Sequence, residues 1–225
     1  MAIPNNGFED ADSRKVNYQG ANFTKWDKTG HQTMEGTAKP WEDLRIEPQA
    51  RTTGANAPTF EQWFDDTAIG DTGSSRGVYL YSFADGASEM EIFFSAQMPH
   101  AWDGGAISIH AHWVPYAAAT DKKVICGLEY NFKSIGEVFG GNAAIVYDTA
   151  LFPADADYVA GKHYISEFAD ITPGATQNSI SAILIGRLFR KSNDAADNYT
   201  NKAGLLYIDI HYQLNSLGST DEYTK

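Results

Sequence analysis

The sequence predicts an all-β fold: an antiparallel β-sandwich, most simply a jelly roll of about eight strands, with an extended N-terminal arm. Several long segments alternate strictly between apolar and polar residues, the signature of half-buried strands. Clusters of Pro, Gly, Asp and Asn, such as "FADGAS", "PHAWDGG", "TPGATQN" and "KSNDAADN", separate these segments. Composition agrees, because the 225 residues are 13% aromatic and 43% hydrophobic and include 20 Gly and 8 Pro. That mixture favours sheets and turns over helices and supplies a real core.

Residues 1–58 form the arm. They are rich in Gly, Asn, Thr, Lys and Asp and hold no sustained period of 2 or 3.6. Phe8, Tyr18, Phe23, Trp26 and Trp41 are nevertheless spaced through them, more large apolar groups than a disordered tail carries. Phe23, Trp26 and Trp41 are read as anchors that lay the arm on its own domain or on a neighbouring subunit. The sandwich domain takes residues 59–225, and "TFEQWFDD" (59–66) reads as one short helix.

Eight strands follow, at about 76–83, 88–98, 106–114, 124–133, 142–150, 163–170, 181–190 and 204–214. In "SEMEIFFSAQM" Met90, Ile92, Phe94, Ala96 and Met98 share a face opposite Glu89, Glu91, Ser95 and Gln97. In "VICGLEYNF" the apolar set is Val124, Cys126, Leu128, Tyr130 and Phe132. In "LLYIDIHYQL" it is Leu206, Ile208, Ile210, Tyr212 and Leu214. Eight strands with few helices over this length read as a sandwich.

The formal net charge is −12. Such a surface repels a nucleic-acid duplex and anionic membranes, and no basic run offsets it, so neither is an expected partner. Cys126 is the sole cysteine, which excludes an intrachain disulfide and a cysteine-built zinc site. The first residues lack the pattern of a signal peptide, and no apolar run approaches a membrane span. The expectation is a soluble protein made in a reducing cytoplasm.

Two motifs raise the question of catalysis. Asp71-Thr72-Gly73-Ser74-Ser75 reads like the catalytic loop of an aspartic protease, and Ile185-Gly186 resembles the segment that braces that loop. A protease of this kind needs two carboxylates sharing a proton, so a single copy of the motif requires a dimer. Against it, Gly70 stands where a large apolar residue normally anchors the loop. The interval to Gly186 is also far longer than dimeric retroviral-type proteases use. The motif reads as a turn before the strand "RGVYLYSF".

The second motif is "AISIHAHWVP" (106–115), which sets His110 and His112 on one side of a strand. Two imidazoles so spaced can reach one metal, and Gly104, with five residues between it and His110, matches the opening of a cupin motif. The glutamate that motif expects next is missing, since Tyr116 and Ala117 stand there, and the downstream block is absent. Ile107, Ile109, Ala111 and Trp113 make the core side, so the histidines share the other face with Ser108. That face reads as solvent, a subunit contact or a ligand cavity. Glu129, Asp209 and His211 also project from polar sides of their strands. His100, after Pro99, reads as loop-borne. No catalytic residue, metal or cofactor is assigned.

Several blocks together resemble a known family. "WEDLRIEPQA", "GVYLYSFADG", "FFSAQMPHAWDGGAISIHAHWVP", "GLEYNF", "GRLFRKSNDAADNY" and "IDIHYQLNSLGSTDEYTK" are similar to poorly characterised virion structural proteins of tailed bacteriophages, over roughly residues 40–220. The resemblance implies a non-enzymatic virion component, first a capsid decoration or cement protein. The alternatives are a head-fibre or tail component with a receptor- or glycan-binding role, and a protease-like or cupin-like enzyme. It further implies a homotrimer, with the major capsid protein or another virion protein as partner, in particles assembled in the host bacterial cytoplasm. The candidate interaction residues are His100, Trp102, His110, His112 and Trp113, taken to lie in one hairpin-like unit.

Overall fold

A computed structural model describes residues 13–17, 22–27, 29–49, 56–64, 77–86, 88–140, 144–152 and 157–222. Asp71, Phe8 and Tyr18 lie outside the described residues. The elements are β1 (Ser13–Asn17), β2 (Phe23–Asp27), β3 (Gln32–Glu35), a 3-10 turn (Gly36–Ala38), β4 (Trp41–Ile46) and β5 (Thr59–Phe64). Then come β6 (Val78–Phe83), β7 (Met90–Gln97), β8 (Ser108–Pro115), β9 (Cys126–Lys133), β10 (Ala144–Phe152), β11 (Tyr164–Phe168), β12 (Ile183–Arg190) and β13 (Ala203–Gln213).

Strands β6 to β13 are the eight expected from the alternation. One sheet runs β6-β13-β8-β11 and the other β7-β12-β9-β10, all pairs antiparallel. Counted from β6, the orders are 1-8-3-6 and 2-7-4-5, the double Greek-key wind of a jelly roll. β10 belongs to both sheets. Its first residues pair with β9, and after an irregularity between Asp148 and Ala150 its last residues pair with β11. Since β7 and β8 lie in opposite sheets, the stretch from His100 to Trp113 is not a hairpin-like unit. It is the crossover between the layers and the strand that follows.

The inner faces make the core. Ile92 and Phe94 of β7, Ile109 and Ala111 of β8, Leu128 and Phe132 of β9, Leu184 and Leu188 of β12, and Ile208, Ile210 and Tyr212 of β13 are all buried together. β13 departs from simple alternation. Its pairing with β8 shifts register between Leu205 and Tyr207, so Leu205, not Leu206, joins Ile208 in the core.

Residues 59–64 form a strand, not the expected helix. Thr59, Phe60, Glu61 and Gln62 pair with Ser82, Tyr81, Leu80 and Tyr79 of β6. A helix this short is marginal in water, whereas the open edge of β6 offers backbone partners. The Phe60 and Tyr81 rings meet 5.0 Å apart.

The segment read as an arm carries regular structure where it is described. β1, β2 and β3 form a three-stranded antiparallel sheet, and Phe23 and Trp26 are half-buried within it. β4 pairs with the last six residues of β13, from Ile46↔Ile208 to Trp41↔Gln213. Gln49 then bridges Phe93 of β7 through two backbone hydrogen bonds of 2.7 and 2.9 Å. The chain after β4 therefore ties one sheet to the other. Trp41 is 61% exposed among the described residues, so its ring stays largely outside the core.

Candidate histidine–carboxylate site

The outer face of the β6-β13-β8-β11 sheet gathers four of the chain's six histidines. Register explains why. His110 stands opposite Asp209 of β13 on one side and Glu167 of β11 on the other. His112 stands between Tyr207 and Ile165, and His211 between Ser108 and Asp43. Cross-strand neighbours on one face sit about 5 Å apart, so sequence-distant residues meet without any loop.

Asp209 is the hub. Its Oδ2 lies 3.1 Å from His112 Nε2 and 3.4 Å from His211 Nε2. His211 Nε2 is also 3.2 Å from Asp43 Oδ1. His110 Nδ1 faces the other carboxylate oxygen, Oδ1, at 3.7 Å, too far for a hydrogen bond. Both atoms of that last pair are buried without a hydrogen-bond partner among the described residues. The side chains of His110, His112 and Asp209 are only 14%, 7% and 6% exposed.

Each imidazole is held from behind. His112 Nδ1 meets His163 Nε2 at 2.7 Å, and Tyr207 stacks on the His112 ring at 4.2 Å with planes 15° apart. The Arg45 guanidinium lies over the Tyr207 ring, 5.2 Å from its centre. His110 Nε2 faces Ser108 Oγ at 3.4 Å and Glu167 Oε1 at 3.8 Å.

Burial, and then the charge of His211, hold His110 below the usual histidine range despite Asp209 and Glu167 nearby. Burial and the charge of His112 lower His163 likewise. Burial alone would raise Asp209, but the hydrogen bond from His112 and the neighbouring imidazoles outweigh it and keep this carboxyl low.

The other predicted residues fall elsewhere. Trp102 is 1% exposed and packs edge-on against Phe132 in the core. Trp113 is buried among Tyr158 and Tyr164 and donates its indole N–H to Ser166 Oγ at 3.2 Å. Neither is an interaction surface, because each is spent on the core. The ring nitrogens of His100 lie 2.8 Å from Ser219 Oγ and 3.0 Å from Ser181 Oγ. His100 thus fastens the β7–β8 crossover to the C-terminal segment and stands apart from the cluster. Glu129 lies on the other sheet, where it accepts from Arg187 Nε at 2.8 Å. His163, Glu167 and Asp43 were not foreseen, since their neighbours depend on strand order and register.

No family model and no curated protein matches the chain. Among solved structures, it is similar to the carbohydrate-binding module TmCBM61 in complex with β-1,4-galactotriose. The identity is 13%, over 78% of this chain and 88% of that one, with a TM-score of 0.29. It is also similar to a chain from infectious bursal disease virus Gx strain, at 12% identity over 90% of this chain and 38% of that one, TM-score 0.33. A chain from the Gt strain of that virus gives 7% identity over 95% and 73%, TM-score 0.30. At these scores the likenesses carry no functional weight, and the jelly-roll assignment rests on the strand order itself.

Proposed function

We propose that the chain is a non-enzymatic structural protein of a tailed-phage particle, first a capsid decoration or cement protein, that works as a homotrimer. The observation that carries this reading is the outer face of the β7-β12-β9-β10 sheet. Ile183 and Ile185 of β12 and Ile145 and Tyr147 of β10 stand exposed there. Around them Arg187 gathers Glu91, Glu129 and Glu89 at 2.6, 2.8 and 3.5 Å. Exposed apolar groups rimmed by charge mark an association surface. The net charge of −12 keeps free copies apart and soluble before assembly. The resemblance of the His-x-His-Trp and C-terminal blocks to phage virion proteins supplies the class of particle, and cyclic self-association is the default for such parts.

The test is quantitative mass spectrometry of purified particles of the encoding phage, separated into heads and tails. The expected result is the chain on heads, in a fixed copy number divisible by three, and its loss from particles made with Ile145→Glu plus Ile185→Glu. Recovery on tails would move it to the fibre or tail reading. Absence from particles would contradict both.

A further inference from the structure

The buried pair His110 Nδ1 and Asp209 Oδ1 poses a specific problem. Two polar atoms face each other at 3.7 Å, neither hydrogen-bonded among the described residues. A buried carboxylate oxygen left this way is costly. An N–H at that distance does not satisfy it, but a cation between the two atoms does.

We propose that His110, His112 and Asp209 hold one divalent ion of the zinc class on the outer face of the sheet, with His163 as a positioning residue. This goes beyond the structural role above and does not depend on it. The ligand atoms of the three residues all lie within 4.8 Å of one another. A tetrahedral zinc with bonds near 2.0–2.1 Å sets its ligands about 3.3 Å apart. The 3.1 Å from His112 Nε2 to Asp209 Oδ2 and the 3.7 Å from His110 Nδ1 to Asp209 Oδ1 bracket that spacing, one carboxylate oxygen facing each imidazole.

The donor set selects the ion. Two imidazoles and one carboxylate suit zinc and its neighbours, whereas calcium and magnesium require a shell of oxygens. The supporting partners fit as well. A ligating imidazole needs its remote nitrogen held by a polar neighbour, which fixes tautomer and ring orientation. His163 does this for His112 at 2.7 Å, and Ser108 Oγ does it for His110 at 3.4 Å. When the His112 proton sits on Nδ1 and is donated to His163, Nε2 is free for the ion.

The neighbouring trio of Asp43, Asp209 and His211 also brings its ligand atoms within 4.8 Å. There, however, His211 Nε2 already meets both carboxylates at 3.2 and 3.4 Å, so nothing asks for a cation. Asp43 and His211 are more exposed and make an acidic approach to the first site.

The test uses the full chain without a histidine tag, stripped by a chelator and titrated with zinc chloride by calorimetry, with elemental analysis of the dialysed product. The proposal predicts one zinc per chain, a higher melting midpoint, and little response to calcium or magnesium. His110→Gln and Asp209→Asn should weaken binding at least tenfold. His163→Gln should weaken it about tenfold, the size expected for a remote partner, while His100→Gln should leave it unchanged. Cobalt(II) added to the wild-type chain gives a readout that needs no variant: intense visible bands of a four-coordinate ion are expected. Less than about a tenth of a zinc per chain, equal binding by the ligand variants, or the pale spectrum of hydrated cobalt would overturn the proposal. The cluster would then be a histidine–carboxylate hydrogen-bond network only. All of these readings are made on the isolated chain, so failure to join a particle leaves them intact.

Discussion

At the scale of single residues, Arg190 is a fully buried charge. Its side chain is 1% exposed and that of Asp197 is 0%. The guanidinium donates through Nε and Nη2 to the two Asp197 oxygens at 2.9 and 2.8 Å. It also donates to the carbonyls of Phe83 at 3.1 Å, Asn201 at 2.8 Å and Tyr199. All five N–H donors of the group are thereby used. Asp197 in turn accepts from the Ile125 amide at 3.0 Å. Removing the carboxylate strands a buried cation, so Asp197→Ala should cost about 3–5 kcal/mol in denaturant unfolding; a loss under about 1 kcal/mol would contradict this account. A second prediction concerns Glu61, whose oxygens meet Lys202 Nζ at 2.7 and 2.8 Å. Burial pushes its pKa up, but Lys202 and Ser82 outweigh burial and hold it below the usual value. A carboxyl depressed in the folded state stabilises above its unfolded pKa of about 4.3 and loses that contribution as pH falls through the folded value. Glu61→Gln should therefore lose under about 1 kcal/mol at neutral pH, and its gap to wild type should close toward pH 3. A gap that widens on acidification would show the sign to be wrong.

At the scale of elements, two glycines set how the strands of the second sheet lie together. The ring of Phe189 on β12 covers Gly127, its direct partner on β9, and the ring of Phe94 on β7 covers Gly186 of β12. A methyl group on either glycine would collide with the ring above it. Gly186 resembles a protease brace in sequence, and in the fold it seats Phe94. Gly127→Ala should cost about 1–3 kcal/mol by overpacking. Gly140→Ala, whose nearest neighbour is Val138 Cγ1 at 3.8 Å, should stay within about 0.5 kcal/mol. Equal effects at the two positions, read by chemical denaturation, would refute the ring-seat account. Strand existence was legible in the sequence because alternation is local: β7 and β9 bury Ile92, Phe94, Ala96, Leu128 and Phe132 and pack Met90, Cys126 and Tyr130, half-buried, against them. The bulge in β13 was not legible, because it answers to pairing with β8. Strand β5 was missed for a related reason, since "TFEQWF" becomes a strand only beside the edge of β6.

At the scale of the whole molecule, the jelly roll follows from eight alternating segments that must bury one face each. The order in which they pair was a choice among sandwich topologies until the structure placed β13 beside β8 and β12 beside β9. The candidate site was legible only in half. His110 and His112 share a face by their spacing, and Asp209 and His211 were marked as polar-side residues, but their convergence depends on that strand order. Ile145, Tyr147, Ile183 and Ile185 on one sheet face are the surface on which the proposed assembly rests. The most direct measurement is the absolute mass of the purified chain by light scattering after gel filtration, beside the Ile145→Glu plus Ile185→Glu variant. The account predicts three times the 24.7 kDa chain mass for wild type and a single chain mass for the variant. A wild-type monomer across the accessible concentration range, or a trimer that the two substitutions leave intact, would contradict it.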